Sequence, residues 1–189
     1  NTFQLNALKF AVDGSYEMLE KNDNIDLELK ADKATFKEFI SLIPAFYHTG
    51  YEGMLASGSL ALNAKVKGII DDKNMPGWDA GIKVSNASIK YPDLPGKIDN
   101  ISIIAGSKFA GGSNLDIMTV DVDKLHAAFA GNVIDATLKM RNLMSDPDLK
   151  ATLLAKVDLA TLGKVIPLAE GESYNGKLDA DISVDGKMS

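Results

Sequence analysis

The residues of this chain whose types could do chemistry are its paired acids: Asp71 and Asp72, Asp121 and Asp123, and Asp179 and Asp181. Two carboxyl groups with separated pKa values are the minimum for general acid/base work, and the separation requires burial in a cleft. Asp71-Asp72 falls in a turn-like stretch, and the other two pairs occupy the polar side of alternating runs, so all three read as solvated surface. The two histidines fare no better. His48 follows a helical stripe and His126 lies on an alternating run, with no nucleophile motif near either, so both read as surface or hydrogen-bonded core residues. The 189 residues include no cysteine, which removes disulfides, thiolate nucleophiles and zinc sites of the usual kind, and two histidines cannot build a His-rich metal site. No G-x-S-x-G, Walker A, G-x-G-x-x-G, H-E-x-x-H or EF-hand pattern occurs. Gly111-Gly112-Ser113 reads as a turn, because no Lys-Ser/Thr follows to open a phosphate-binding helix. The expectation is a protein without catalytic residues, cofactor or metal. With 20 Lys+Arg against 26 Asp+Glu, a formal net charge of −6, it also lacks the basic footprint that nucleic-acid binding needs.

The elements that would carry these residues follow a period of two. In Gly58 to Gly68, Leu60, Leu62, Ala64 and Val66 fall on one face, while Ser59, Asn63, Lys65 and Lys67 fall on the other. The same alternation sets Leu178, Ala180, Ile182 and Val184 against Lys177, Asp179, Asp181, Ser183 and Asp185. Weaker runs at 8–12, 25–29, 82–84, 87–91, 98–104, 118–122, 125–129, 134–140 and 149–157 read as further strands. Turn residues separate them at Asp13-Gly14, Asp71 to Asn74, Gly111 to Asn114, Gly131-Asn132 and Ser145 to Asp148. Trp78, the single tryptophan, reads as packing against the next strand. Phe36, Phe39, Ile40, Ile43 and Tyr47 recur at three and four, which predicts a helix over about 35–47, opened by a Thr35/Glu38 capping box and disturbed by Pro44. A second short helix is predicted over 158–166. The fold class expected is mainly β: a curved, mostly antiparallel, multi-stranded sheet with one or two short helices packed at its face or end. No stretch approaches the roughly 18 consecutive apolar residues of a membrane-spanning helix.

The two helices belong to an internal repeat. Thr35 to Pro44 aligns with Asp158 to Pro167, both closing on Ile-Pro, and Gly58 to Gly68 aligns with Gly176 to Gly186, so that 24–68 and 148–186 are read as two copies of one unit within a single β-rich region, 1–189. The chain stops directly after the second alternating strand, which reads as an internal piece of a longer polypeptide.

A sheet that is apolar on one face must cover that face with another sheet, a helix or a ligand, and two short helices are scant cover for about ten strands. The face then becomes a long apolar trough, and its candidate lining residues are Leu60, Leu62, Val66, Leu178, Ile182 and Val184. The runs Phe36 to Tyr47 and Gly58 to Gly68, together with Met75-Pro76, Tyr91-Pro92-Asp93-Leu94-Pro95, Ser145-Asp146-Pro147, Val157-Asp158-Leu159 and the closing Gly176 to Gly186, resemble the AsmA-like proteins of Gram-negative envelopes. The resemblance implies a periplasmic module of a longer chain, anchored in the inner membrane by a segment not present here and acting in outer-membrane biogenesis. It also implies a kinship with the larger TamB- and YhdP-type proteins, in which a curved sheet carries phospholipid. The expected partners are phospholipid acyl chains, with envelope proteins and membrane engaged through other parts of the parent chain. The alternative is a β scaffold of the envelope that binds proteins and no lipid.

Overall fold

The computed structural model describes residues 1–40, 42 and 53–188. They form one open antiparallel sheet of ten strands whose spatial order is their order in the chain. The strands are β1 (Thr2–Leu5), β2 (Leu8–Met18), β3 (Asp23–Thr35), β4 (Leu55–Ile70), β5 (Gly77–Lys90), β6 (Ile98–Phe109), β7 (Thr119–Phe129), β8 (Asn132–Arg141), β9 (Asp148–Asp158) and β10 (Lys177–Lys187). A meander of this kind needs only hairpin connections, and the expected turns supply most of them. At the β7–β8 hairpin, Ala130 and Gly131 both have positive φ (46° and 83°), the two-residue turn whose twist matches that of the flanking strands. Between β4 and β5, Asp71 Oδ1 accepts hydrogen bonds from the backbone N–H groups of Lys73 and Asn74, and the Asn74 side-chain amide donates to both Asp71 carboxylate oxygens. These hydrogen bonds, the Asn74 side chain first, hold the Asp71 pKa below the ordinary carboxylate value.

Several expected boundaries move. Asp13-Gly14 is no turn: both residues lie inside β2, where Gly14 (φ +131°) passes so close to β3 that a Cβ would stand 1.8 Å from the Asp26 carbonyl oxygen. The short runs 82–84 and 87–91 merge into β5, and 118–122 and 125–129 into β7. A β-bulge divides each of these pairs, between Val84 and Ala87 and between Val122 and Leu125. A bulge inserts an unpaired residue and breaks the alternation on which strand recognition depends. Asn86 (φ 50°) and Asn100 (φ 54°) sit inside the bulges of β5 and β6 in the left-handed conformation that asparagine tolerates best after glycine.

The helix expected over 35–47 is seen as α1 (Phe36–Ile40). Its capping box is formed reciprocally: Thr35 N–H donates to Glu38 Oε2 at 2.6 Å and Glu38 N–H donates to Thr35 Oγ1 at 3.2 Å. Ile43, Pro44, Tyr47 and His48 lie outside the described residues. The second expected helix is a 3₁₀ turn, Leu159–Lys164, whose capping residue Asp158 accepts from the Ala160 N–H. α1 connects β3 to β4 and the 3₁₀ turn connects β9 to β10, so in this antiparallel order both leave the same end of the sheet.

Each helical connection seals a core. Beneath α1, Phe36 packs with Leu8, Ala31, Ala34, Leu60, Val84, Ala87 and Ile101, all under 9% exposed. Beneath the 3₁₀ turn, Val165 packs with Phe129, Ala155 and Val157. One buried polar side chain, Asn132, ties the second core together. Its Nδ2 donates to the Phe129 carbonyl at 2.8 Å and to Thr161 Oγ1 at 2.7 Å, and its Oδ1 accepts from the Asp158 N–H at 2.6 Å. Every hydrogen-bonding group it buries is thereby satisfied.

Candidate functional site

Strand register decides which side chains share a row across the sheet. One row runs Ala31, Leu62, Ile82, Ala105, Val122, Leu138, Ala151, Val184 from β3 to β10. A second runs Ala34, Leu60, Val84, Ile103, Leu125, Ala136, Leu153, Ile182 across the same eight strands. Neither contains a polar residue. With strands about 4.8 Å apart, each row is roughly 34 Å of continuous hydrocarbon. The sequence-predicted lining residues thus lie on one face and, in part, in the same rows: Leu62 with Val184, and Leu60 with Ile182. Val66 stands in a further row with Leu27, Trp78 and Phe109, and Leu178 is paired with Val157 on the same face.

Their surroundings differ. Leu60 is 1% exposed beneath α1 and belongs to closed core, so among the six it is the one a ligand cannot reach without displacing the helix. Leu62 and Val66 are half-buried. Leu178, Ile182 and Val184 are 47%, 49% and 46% exposed. Away from the two helical connections no described element lies over the face. There the rows narrow to small side chains, and Leu62, Ala80, Ile82, Ala105, Ser107 and Val120 line an open hollow of about 310 Å³. Trp78 stands at its far end, its ring centroid 4.6 Å from that of Phe109 and its Nε1 donating to Ser107 Oγ at 3.0 Å. A hollow lined by hydrocarbon offers water none of the two to four partners it needs.

The opposite face is polar and braced strand to strand by charge. Lys67 reaches Asp26 at 2.6 Å, Lys108 reaches Asp79 at 2.8 Å, Arg141 makes a bidentate pair with Asp121 at 2.8 and 3.1 Å, and Lys150 reaches Asp185 at 2.8 Å. Asp121 is therefore engaged by a guanidinium, while Asp123 is exposed beside it, and the two are not gathered into a cleft. Comparison with family models, with curated proteins and with solved structures finds no match to this chain. The site's reading therefore rests on the geometry of the sheet.

Sequence spacing did not reveal one constellation on the polar face. Ser102, His126 and Asp135 stand opposite one another on β6, β7 and β8, and His126 Nδ1 lies 2.7 Å from Asp135 Oδ1. Among the described residues, however, Ser102 makes no hydrogen bond to the imidazole, so the nucleophile–base contact of a hydrolytic triad is not formed. No signal in the sequence could have found this row, because the three residues meet only through the register of three strands. Nor do three His, Asp or Glu side chains converge as metal ligands among the described residues.

Proposed function

We propose that this chain is a non-enzymatic lipid-binding module that holds phospholipid acyl chains along the apolar face of its sheet, as part of an AsmA-like protein of the Gram-negative periplasm acting in outer-membrane biogenesis. The observation that carries this reading is the pair of unbroken apolar rows from β3 to β10, which leave cover at the two helical connections and become nearly half exposed at Ile182 and Val184. Burying a methylene is worth about 0.8 kcal/mol, so an acyl chain laid across several strands is held without a polar anchor. The charged face opposite keeps such a sheet dispersed in water.

Native mass spectrometry and solvent extraction of the purified chain test the proposal. Phospholipid should co-purify with the wild type. Val184→Asp, at an exposed position of the row, should lose most of it while keeping the wild-type melting curve. Leu62→Asp should lose it as well, and photocrosslinks placed at Leu62 should label acyl chains. A lipid-free wild-type protein, or lipid retained by both variants, would sink the reading in favour of an envelope scaffold. That second reading is favoured by one observation, the complete closure of the face at Leu60.

A further inference from the structure

The two edges of the sheet are unlike. β1 has four residues and no more than begins to cover β2, whereas β10 has eleven and pairs in continuous register with β9 alone. Natural sheets blunt long edges with proline, bulges or inward-pointing charges. β10 has none of these: its register is unbroken, it contains no proline, and its inward residues are Leu178, Ala180, Ile182 and Val184.

The polar side of β10 carries a second deficit. Elsewhere on this face acids are met by a cation from a neighbouring strand, as in Asp26–Lys67, Asp79–Lys108 and Asp121–Arg141. On β10, Asp185 is met by Lys150 of β9 and Lys187 by Asp146. Among the described residues, no ion pair involves Asp179 or Asp181, although Asp179 stands opposite Lys156 in register. The edge therefore presents hydrocarbon on one side and uncompensated negative charge on the other.

Charge also argues against a second copy of this chain. Antiparallel self-pairing of β10 about Ile182 sets Lys177 against Lys187 and Asp179 against Asp185, and like charges directly opposed are destabilising. The open part of β2 turns Asp13 and Glu17 to the polar side, which repeats the conflict. We propose that β10 is a docking edge for an extended segment of a partner polypeptide in which apolar residues alternate with lysine or arginine. The segment adds an eleventh strand: its apolar residues extend the rows ending at Ile182 and Val184, and its basic residues face Asp179 and Asp181. Backbone hydrogen bonds supply affinity and the alternating side chains supply selectivity. The proposal is independent of lipid occupancy, because its charged determinants lie on the face away from the trough.

The test uses an eleven-residue synthetic peptide alternating Val with Lys, an isomeric peptide with its lysines grouped at one end, and a peptide alternating Val with Glu. Amide hydrogen exchange and fluorescence anisotropy are read on the whole chain. The alternating Val/Lys peptide should bind saturably and slow exchange at Lys177 to Lys187, and the grouped isomer should bind at least about tenfold more weakly. The double variant D179K/D181K should lose the Val/Lys peptide by a similar factor and gain the Val/Glu peptide. That gain shows the variant to be folded, and the exchange footprint on the wild type stands without it. Unchanged exchange along β10 at saturation, equal binding of the two lysine isomers, or a double variant that binds as the wild type does would overturn the proposal. So would a concentration-dependent dimer of the wild type dissociated by Ile182→Lys.

Discussion

Leu60 in β4 and Ile182 in β10 occupy the same cross-strand row on the same face, yet one is 1% exposed and the other 49%. In sequence their strands are close parallels, each a leucine-rich alternation between glycines. The difference comes from what stands beside and above them. β4 has β3 and β5 on its flanks and Phe36 of α1 over it, whereas β10 has β9 on one side and an open edge on the other. Alternation therefore specifies which face a residue joins, while the place of the strand in the sheet determines whether that face is core or surface.

The largest expected consequence is at the two hydrophobic positions themselves. Leu60→Ala removes buried methylenes from a site closed on every side and should cost about 2–5 kcal/mol, read as a lowered midpoint in urea at unchanged slope. Ile182→Ala in the same row should cost less than about 1 kcal/mol. Equal losses would mean that β10 is covered in solution as β4 is, which an added strand or bound lipid would do.

A smaller separation is expected at the glycines that flank the two strands. Gly58 has φ +114° and runs so close to β5 that a Cβ would stand 2.4 Å from the Ala87 Cα, inside the bulge that lets Ala87 be wholly buried. Backbone of a paired strand cannot yield as a side-chain tip would, so Gly58→Ala should cost about 1–3 kcal/mol. Around Gly186 nothing lies within 4 Å of the same probe atom, and Gly186→Ala should leave the thermal midpoint within a degree or two of wild type. A large loss at Gly186 would place a neighbour against the β10 edge.

Strands and faces were readable from sequence wherever alternation was uninterrupted, as in Leu60 to Val66 and Leu178 to Val184, because period two is a property of the extended chain itself. The bulges at Val84/Ala87 and Val122/Leu125 cut two long strands into fragments, since a single inserted residue reverses the side to which everything beyond it points. β1 escaped notice because Thr2 to Leu5 is too short to show a period. The Thr35/Glu38 box and the Asp158 cap were legible for the opposite reason: their hydrogen bonds span three residues or fewer and need no tertiary partner. Which of the six predicted lining residues would be closed off was not legible. Leu60 and Leu62 are two residues apart on one face, and only the landing point of Phe36 separates them.

The smallest expected effect concerns charge on the other face and tells interior pairs from edge pairs through pH. Asp26 of β3 accepts a hydrogen bond from Lys67 of β4 at 2.6 Å, and that bond, more than the added Coulomb attraction of Lys67 and Lys65, lowers its pKa from the ordinary aspartate value. A carboxylate whose folded pKa is depressed contributes stability that is fully present above the unfolded value, near 3.9, and is lost as pH falls through the depressed folded value. Carbon-detected titration should therefore find the Asp26 carboxyl protonating below the usual aspartate range. Lys67→Met should return it upward and flatten that part of the stability profile, the change remaining small because both side chains are largely solvated and salt screens them. An Asp26 that titrates normally in the wild type would show that the β3–β4 pair is dispensable, and the compensated interior acids would then offer no contrast with the uncompensated Asp179 and Asp181 at the β10 edge.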